Sequence, residues 1–191
     1  MAEKAVFIDR DGTLIRDKNY LSDPDKIEWY PGVFEALRKL ARAGFRLVVV
    51  TNQSGVARGY FGEETVREVN NRLEEELGRE GIELEDIYYC PAHPEAEAEK
   101  YRQNLHRRKP APGMLKEACC EHGLSPGESF MVGDKPSDVE CGKRAGCRSI
   151  LVETGKEKES GQQLEFQPDY VATDFKDAAR WIVESAREET G

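Results

Sequence analysis

Two carboxylates stand two positions apart in Asp9-Arg10-Asp11-Gly12-Thr13. In an extended segment both side chains leave the backbone on one side, and the sharp turn that Gly12 permits would swing Asp11 over whatever Asp9 touches. Such a pair can divide the work of cleaving an ester. One ionised carboxylate attacks phosphorus, and the other protonates the leaving alcohol and then activates water. Most D-x-D pairs are ordinary turn chemistry, so this one gains meaning only from its company. Gly133-Asp134-Lys135-Pro136-Ser137-Asp138 supplies that company. Asp134 can join Asp9 on a hard divalent cation, and Mg²⁺ suits because it takes few carboxylates beside phosphate oxygen and water. Asp138, one helical turn on, is either a further ligand or a residue that orients the ligands.

Thr51 and Asn52 offer a hydroxyl and an amide to phosphate oxygens, and Lys109 offers a point charge against the negative charge gathered around a carboxylate nucleophile. Taken singly, each of these residue types is more often a cap or a surface group. Their positions along the chain are what join them, because each cluster follows a strand signal or the long loop.

Val6-Phe7-Ile8 is a short apolar, partly β-branched run that ends abruptly at Asp9. Segment 13 to 31 lacks a period and closes on Pro31-Gly32. A helix follows with Val33, Leu37, Leu40 and Ala41 on one face and stops at Gly44. Phe45-Arg46-Leu47-Val48-Val49-Val50 is the strongest strand signal, and the polar run from Thr51 to Gly55 starts where it ends. An amphipathic helix over 63 to 80 carries Val66, Val69, Leu73 and Leu77. Ile87-Tyr88-Tyr89 reads as a third strand, and 90 to 112 as a long loop ending in Arg108-Lys109-Pro110. A helix over 113 to 122, the strand Phe130-Met131-Val132 and a helix over 136 to 145 continue the alternation. Ile150-Leu151-Val152, a loop over 155 to 167, Tyr170-Val171-Ala172 and a last helix through Trp181-Ile182-Val183 complete it. This order predicts parallel crossovers, a sheet covered by helices on both faces, and a ligand site at the carboxyl ends of the strands.

The chain has 191 residues, which fits a single domain over 1 to 191 with a sizeable core. A formal net charge of −9 gives no electrostatic footprint for nucleic acid, so an anionic ligand must be captured by local cations. The opening apolar run is too short for a signal core or a membrane span, which makes the cytoplasm the expected compartment and no membrane an expected partner. Five cysteines without a C-x-x-C pairing read as free thiols.

The set hhhDxDGT, a strand ending in Thr-Asn, Arg-Lys-Pro, then hhhGDxxxD resembles the haloacid dehalogenase superfamily over roughly residues 5 to 155. Within it, Thr-Asn-Gln-Ser-Gly-Val-Ala-Arg-Gly at 51 to 59, Tyr-Tyr-Cys-Pro at 88 to 91 and Arg-Lys-Pro-x-Pro-Gly-Met at 108 to 114 resemble the heptose 1,7-bisphosphate 7-phosphatases. Histidinol-phosphate phosphatases are a near alternative. Ser54 stands where they carry Asp, which favours the heptose branch. The resemblance implies an α/β fold, a three-layer α/β/α sandwich on a mainly parallel Rossmann-like sheet without a large cap domain. It implies Asp9 as nucleophile, Asp11 as general acid and base, Thr51 and Lys109 as phosphate binders, and Mg²⁺ on Asp9, Asp134 and the main-chain carbonyl of Asp11. The expected partner is a small phosphorylated sugar, the expected state a monomer. Arg58, Arg108 and Lys135 are then candidates for a second phosphate. A phosphate-binding module without catalysis is the reading from another class, and the intact Asp9, Asp11, Lys109 and Asp134 set disfavours it.

One departure stands out. The family braces its long loop with a structural zinc on C-x-H and C-x-C pairs, where this chain reads Cys90-Pro91-Ala92 and Leu105-His106-Arg107. His93 and His106 lie one residue off the family's places, so Cys90, His93 and His106 make three donors where a closed zinc site takes four. The expectation is magnesium dependence without stoichiometric zinc. Ion pairs between the acidic run 95 to 99 and Lys100, Arg102, Arg107 and Arg108 would then order the loop.

Overall fold

The computed structural model describes residues 3–155 and 166–188, so most of the loop expected over 155 to 167 lies outside the described residues. Six strands and five α-helices run through them, alternating as far as β5: β1 (Ala5–Ile8), α1 (Val33–Arg42), β2 (Arg46–Asn52), α2 (Glu63–Arg79), β3 (Asp86–Cys90), α3 (Gly113–His122), β4 (Phe130–Gly133), α4 (Pro136–Ala145), β5 (Arg148–Val152), β6 (Tyr170–Ala172) and α5 (Phe175–Glu188). The sheet runs β3-β2-β1-β4-β5-β6, and every pairing among these strands is parallel.

Residues of each strand alternate between two buried layers, as a sheet covered on both faces requires. Val6, Ile8, Leu47, Val49 and Val132 pack with α1, α2 and α5. Ala5, Phe7, Val48, Val50 and Met131 pack with Met114, Leu115 and Ala118 of α3 and Cys141 of α4. The buried stripe of α1 is Val33, Ala36, Leu37 and Leu40. Ala41, placed on that face by the sequence, is exposed, because the 100° step of the helix carries it past the edge of the stripe.

Central β1 pairs on both sides, Ile8 opposite Val49 of β2 and Val132 of β4. The chain leaves toward opposite edges after β1 and β4, so the crevice at their carboxyl ends is the switch point where α/β folds bind ligands. Asp9 begins there, its N–H bonded to the Val132 carbonyl at 2.9 Å. Strand β2 continues through Thr51 and Asn52, paired with Tyr89 and Cys90, where side-chain polarity had marked a turn. The ladder uses backbone groups, so polar side chains at its end did not stop it. Segment 13 to 31 is likewise less irregular than its sequence, with Ile15 bridged to Trp29 and Leu14, Ile15 and Leu21 buried in the core. Among the described residues no helix is long and apolar enough to cross a membrane.

Candidate active site

Lys109 enters the switch point from the end of the long loop, fully buried. Its ammonium donates to Asp9 Oδ1 at 2.6 Å and to the Val50 carbonyl at 2.9 Å and lies 2.6 Å from Asp138 Oδ1. These three contacts match the three donors of an ammonium. Burial works to lower the Lys109 pKa, but Asp138 and Asp9 outweigh it and hold the group charged. Burial also pushes Asp9 up, while Lys109 pulls it back. Asn52 fixes the lysine's backbone: its Nδ2 donates to the Lys109 carbonyl at 3.0 Å and its Oδ1 accepts from the Lys109 N–H at 3.1 Å. The amide assigned from sequence to phosphate oxygens is thus occupied as a brace, because β2 extends far enough to set Asn52 beside the returning loop.

Asp134 stands in a different state. Both its carboxylate oxygens are buried without a hydrogen-bond partner, and burial, then Asp9 and Asp138, push its pKa far above the usual carboxylate range. The backbone presses close around it. A Cβ on Gly12, whose φ is +93°, would fall 2.4 Å from Asp134 Oδ2, and one on Gly155 would fall 2.0 Å away. Ligand oxygens of Asp9, Asp134 and Asp138 lie within 4.8 Å of one another. Asp138 is already engaged, Oδ1 by Lys109 and Oδ2 by the Lys135 N–H at 3.0 Å, so it orients the site. Asp134 beside Asp9 is left as a pair of hard oxygen donors, and this fits Mg²⁺.

Asp11 is held from one side. Its Oδ2 accepts from Arg10 Nε at 3.0 Å and Gln53 Nε2 at 2.9 Å, with Thr51 Oγ1 at 3.5 Å. Gln53 also donates to Thr51 Oγ1 at 2.9 Å, so the hydroxyl expected at phosphate is tied to this network, next to the cavity. Arg10 is 1% exposed and reaches Asn70 Oδ1 of α2 at 2.7 Å. Arg10, Gln53 and Asn70 were not singled out from sequence. The signals that could have found them are a cation lodged inside the D-x-D and an asparagine on the apolar face of α2.

A cavity of about 520 Å³ opens over these groups, and Asp9, Asp11, Tyr20, Arg108, Lys109 and Lys135 contribute to its lining. Arg108 is partly buried, its Nη1 bonded to the Ala92 carbonyl at 3.1 Å. Burial, with the Arg58 charge adding to it, holds its pKa below the usual arginine value. Lys135 pairs with Asp17 at 3.7 Å. Arg58 does not line the cavity: it is exposed, with Nη2 3.4 Å from His93 Nε2, because the turns after Ser54 carry it outward.

Residues 106–178 match a family model described as HAD-hydrolase-like. A D-glycero-beta-D-manno-heptose-1,7-bisphosphate 7-phosphatase of Pasteurella multocida is 43% identical over 182 residues, covering 94% of this chain and 97% of the relative. A HAD-like phosphatase from Mesorhizobium loti superposes with a TM-score of 0.83 at 36% identity, over 97% of this chain and 88% of that one. The D,D-heptose 1,7-bisphosphate phosphatase from B. bronchiseptica, solved with magnesium and phosphate, gives 0.81 at 28%, over 95% and 99%. The chain belongs to the haloacid dehalogenase-like phosphatases.

In this phosphatase the loop that delivers Arg108 and Lys109 is built differently from the sequence expectation. Arg102 Nη1 donates to the carbonyls of Ala96 and Glu97 at 2.7 and 2.8 Å, Arg107 pairs with Glu117 of α3 at 2.9 Å, and Tyr101 bonds Glu63 of α2 at 3.2 Å. Guanidinium groups thus serve loop carbonyls and a neighbouring helix rather than the acidic run 95 to 99. Carbonyls with no ladder partner compete better for those donors than freely solvated carboxylates do. Cys90, His93 and His106 are not gathered into one donor group. Cys90 is buried in the layer of Met114 and Leu115, and the His93 ring faces Arg58.

Proposed function

We propose that this phosphatase removes the 7-phosphate of D-glycero-D-manno-heptose 1,7-bisphosphate by a Mg²⁺-dependent route through an aspartyl-phosphate on Asp9. The observation that carries the reading is Asp134, a buried carboxylate without a partner beside a second carboxylate that a lysine ammonium already engages. Asp9, Asp134 and the Asp11 carbonyl would hold the cation. When bound, Mg²⁺ offsets negative charge on the phosphoryl oxygens.

The Asp9 carboxylate attacks phosphorus as the bond to the sugar oxygen breaks, and Asp11 gives that oxygen its proton. Water then attacks the acyl phosphate, Asp11 takes a proton from it, and phosphate leaves with Asp9 restored. Lys109 keeps Asp9 ionised and directed. Arg108 and Lys135, on the cavity wall, are the cations suited to the second phosphate. The substrate name rests on the relatives from Pasteurella multocida and B. bronchiseptica.

Asp9→Asn should abolish turnover while the protein stays folded. Among heptose bisphosphate, the corresponding monophosphate, histidinol phosphate and simple sugar phosphates, the bisphosphate should give the highest kcat/KM. Activity retained in Asp9→Asn would end the covalent route, and a preference for histidinol phosphate would replace the substrate.

A further inference from the structure

The geometry points to Oδ1 of Asp11 as the atom that carries the proton to the leaving oxygen, with Arg10 and Asn70 as the positioning residues that enforce this choice. The inference rests on the reading of Asp11 as the general acid. Its starting observation is a buried arginine. Arg10 is 1% exposed, and a guanidinium is buried at this depth only when its donors are met. They are met in two directions. Nε and Nη2 turn to Asp11 and Nη1 to Asn70 Oδ1, at 2.7 Å.

The two oxygens of Asp11 are treated unequally. Oδ2 accepts from Arg10 Nε at 3.0 Å and from Gln53 Nε2 at 2.9 Å, with the Thr51 hydroxyl at 3.5 Å. Among the described residues, Oδ1 accepts one longer bond, from Arg10 Nη2 at 3.4 Å. A guanidinium has no acceptor, and the amide nitrogen of Gln53 has none to offer. A proton on Oδ2 would therefore face two close N–H groups, against one at 3.4 Å on Oδ1, so the acid proton belongs on Oδ1 of this cavity-lining residue.

Asn70 gives the arrangement its foothold. It sits on α2 among Val66, Val69, Leu73 and Leu77, 6% exposed. A polar side chain on an apolar helical stripe is costly without a bond, and its carbonyl oxygen accepts one from Arg10. Residue 70 thus sets the guanidinium, the guanidinium and Gln53 together engage Oδ2, and Oδ1, the less closely bonded oxygen, is left for chemistry.

Leaving-group dependence tests this. A sugar alkoxide needs a proton as it departs, whereas p-nitrophenolate leaves as a stable anion, so an acid defect lowers the ratio of kcat/KM for sugar phosphate to that for p-nitrophenyl phosphate. Asp11→Asn, Arg10→Lys and Asn70→Ala should each lower this ratio, the latter two by about 10- to 100-fold. Asn70→Asp, which keeps the acceptor, should restore it. A structural defect alone would scale both substrates alike. If Asp11→Asn lowers the ratio but Arg10→Lys and Asn70→Ala do not, the positioning role is overturned. If Asp11→Asn leaves the ratio unchanged, the acid role itself is wrong and the inference falls with it. Should Arg10→Lys fail to fold, the Asn70 pair decides alone.

Discussion

Lys109 has two kinds of neighbour, those that meet its ammonium and one that holds its backbone, and each can be removed separately. Asn52→Ala deletes the two bonds to the Lys109 peptide groups, at 3.0 and 3.1 Å, and leaves every carboxylate in place. Residues that orient a functional group rather than form it typically cost about 10- to 100-fold when lost. Steady-state kinetics of Asn52→Ala should show a fall in kcat/KM of about that size with little change in unfolding temperature. Wild-type kinetics would mean that Asp9 and Asp138 suffice to place the lysine. Asp138→Ala should behave in the opposite sense. It strips one of two carboxylates from a buried ammonium and removes the acceptor for the Lys135 N–H at the start of α4. Breaking a buried pair costs about 3–5 kcal/mol. Denaturant unfolding should show a stability loss of that order, and a loss under about 1 kcal/mol would place Asp138 in a solvated pair instead.

The elements were the most legible part of the sequence, because in a doubly covered sheet each strand is an apolar run and each helix shows its stripe. Periodicity is local, and what it missed is not. Gln53 meets Asp11 across 42 residues and Arg10 meets Asn70 across 60, so neither pair leaves a mark in any window. Asn52 was misjudged because its side chain looked like a turn signal, while the backbone ladder with Cys90 decided its place. The spacing of the carboxylates did foretell the gathering of Asp9, Asp134 and Asp138, since each follows a strand of one parallel sheet. Gly12 shows how element and site meet. Its φ of +93° turns the chain after β1, and its missing Cβ leaves room for Asp134 Oδ2. Gly12→Ala should therefore combine left-handed strain, about 1–2 kcal/mol, with displacement of the Asp134 carboxylate. The expected result is a raised Mg²⁺ requirement in activity titrations, and an unchanged magnesium dependence would show that Asp134 tolerates the extra methyl.

On the scale of the whole molecule, a net charge of −9 makes the carboxylate cluster harder to sustain without a cation, and the folded state should report it. Asp134 and Asp9 are pushed upward by burial and by neighbouring acids, so the folded protein holds their protons more tightly than the unfolded chain does. Below about pH 4 both states are protonated and no penalty arises. As pH rises above that value the unfolded carboxylates ionise first, and stability falls until the folded groups have ionised as well. A cation that binds the ionised, folded site reverses the loss. With Mg²⁺ a hundredfold above its dissociation constant the gain is about 2.7 kcal/mol, or about 5–10 °C in Tm for a chain of this size. Thermal melts in chelator and in Mg²⁺, run at mildly acidic and mildly alkaline pH, should diverge more at the alkaline end. In Asp134→Asn the carboxylate penalty and the magnesium gain should both shrink, so its chelator curve should lie closer to its magnesium curve. If the wild-type Tm is indifferent to Mg²⁺ at every pH, the buried carboxylates are not a magnesium site.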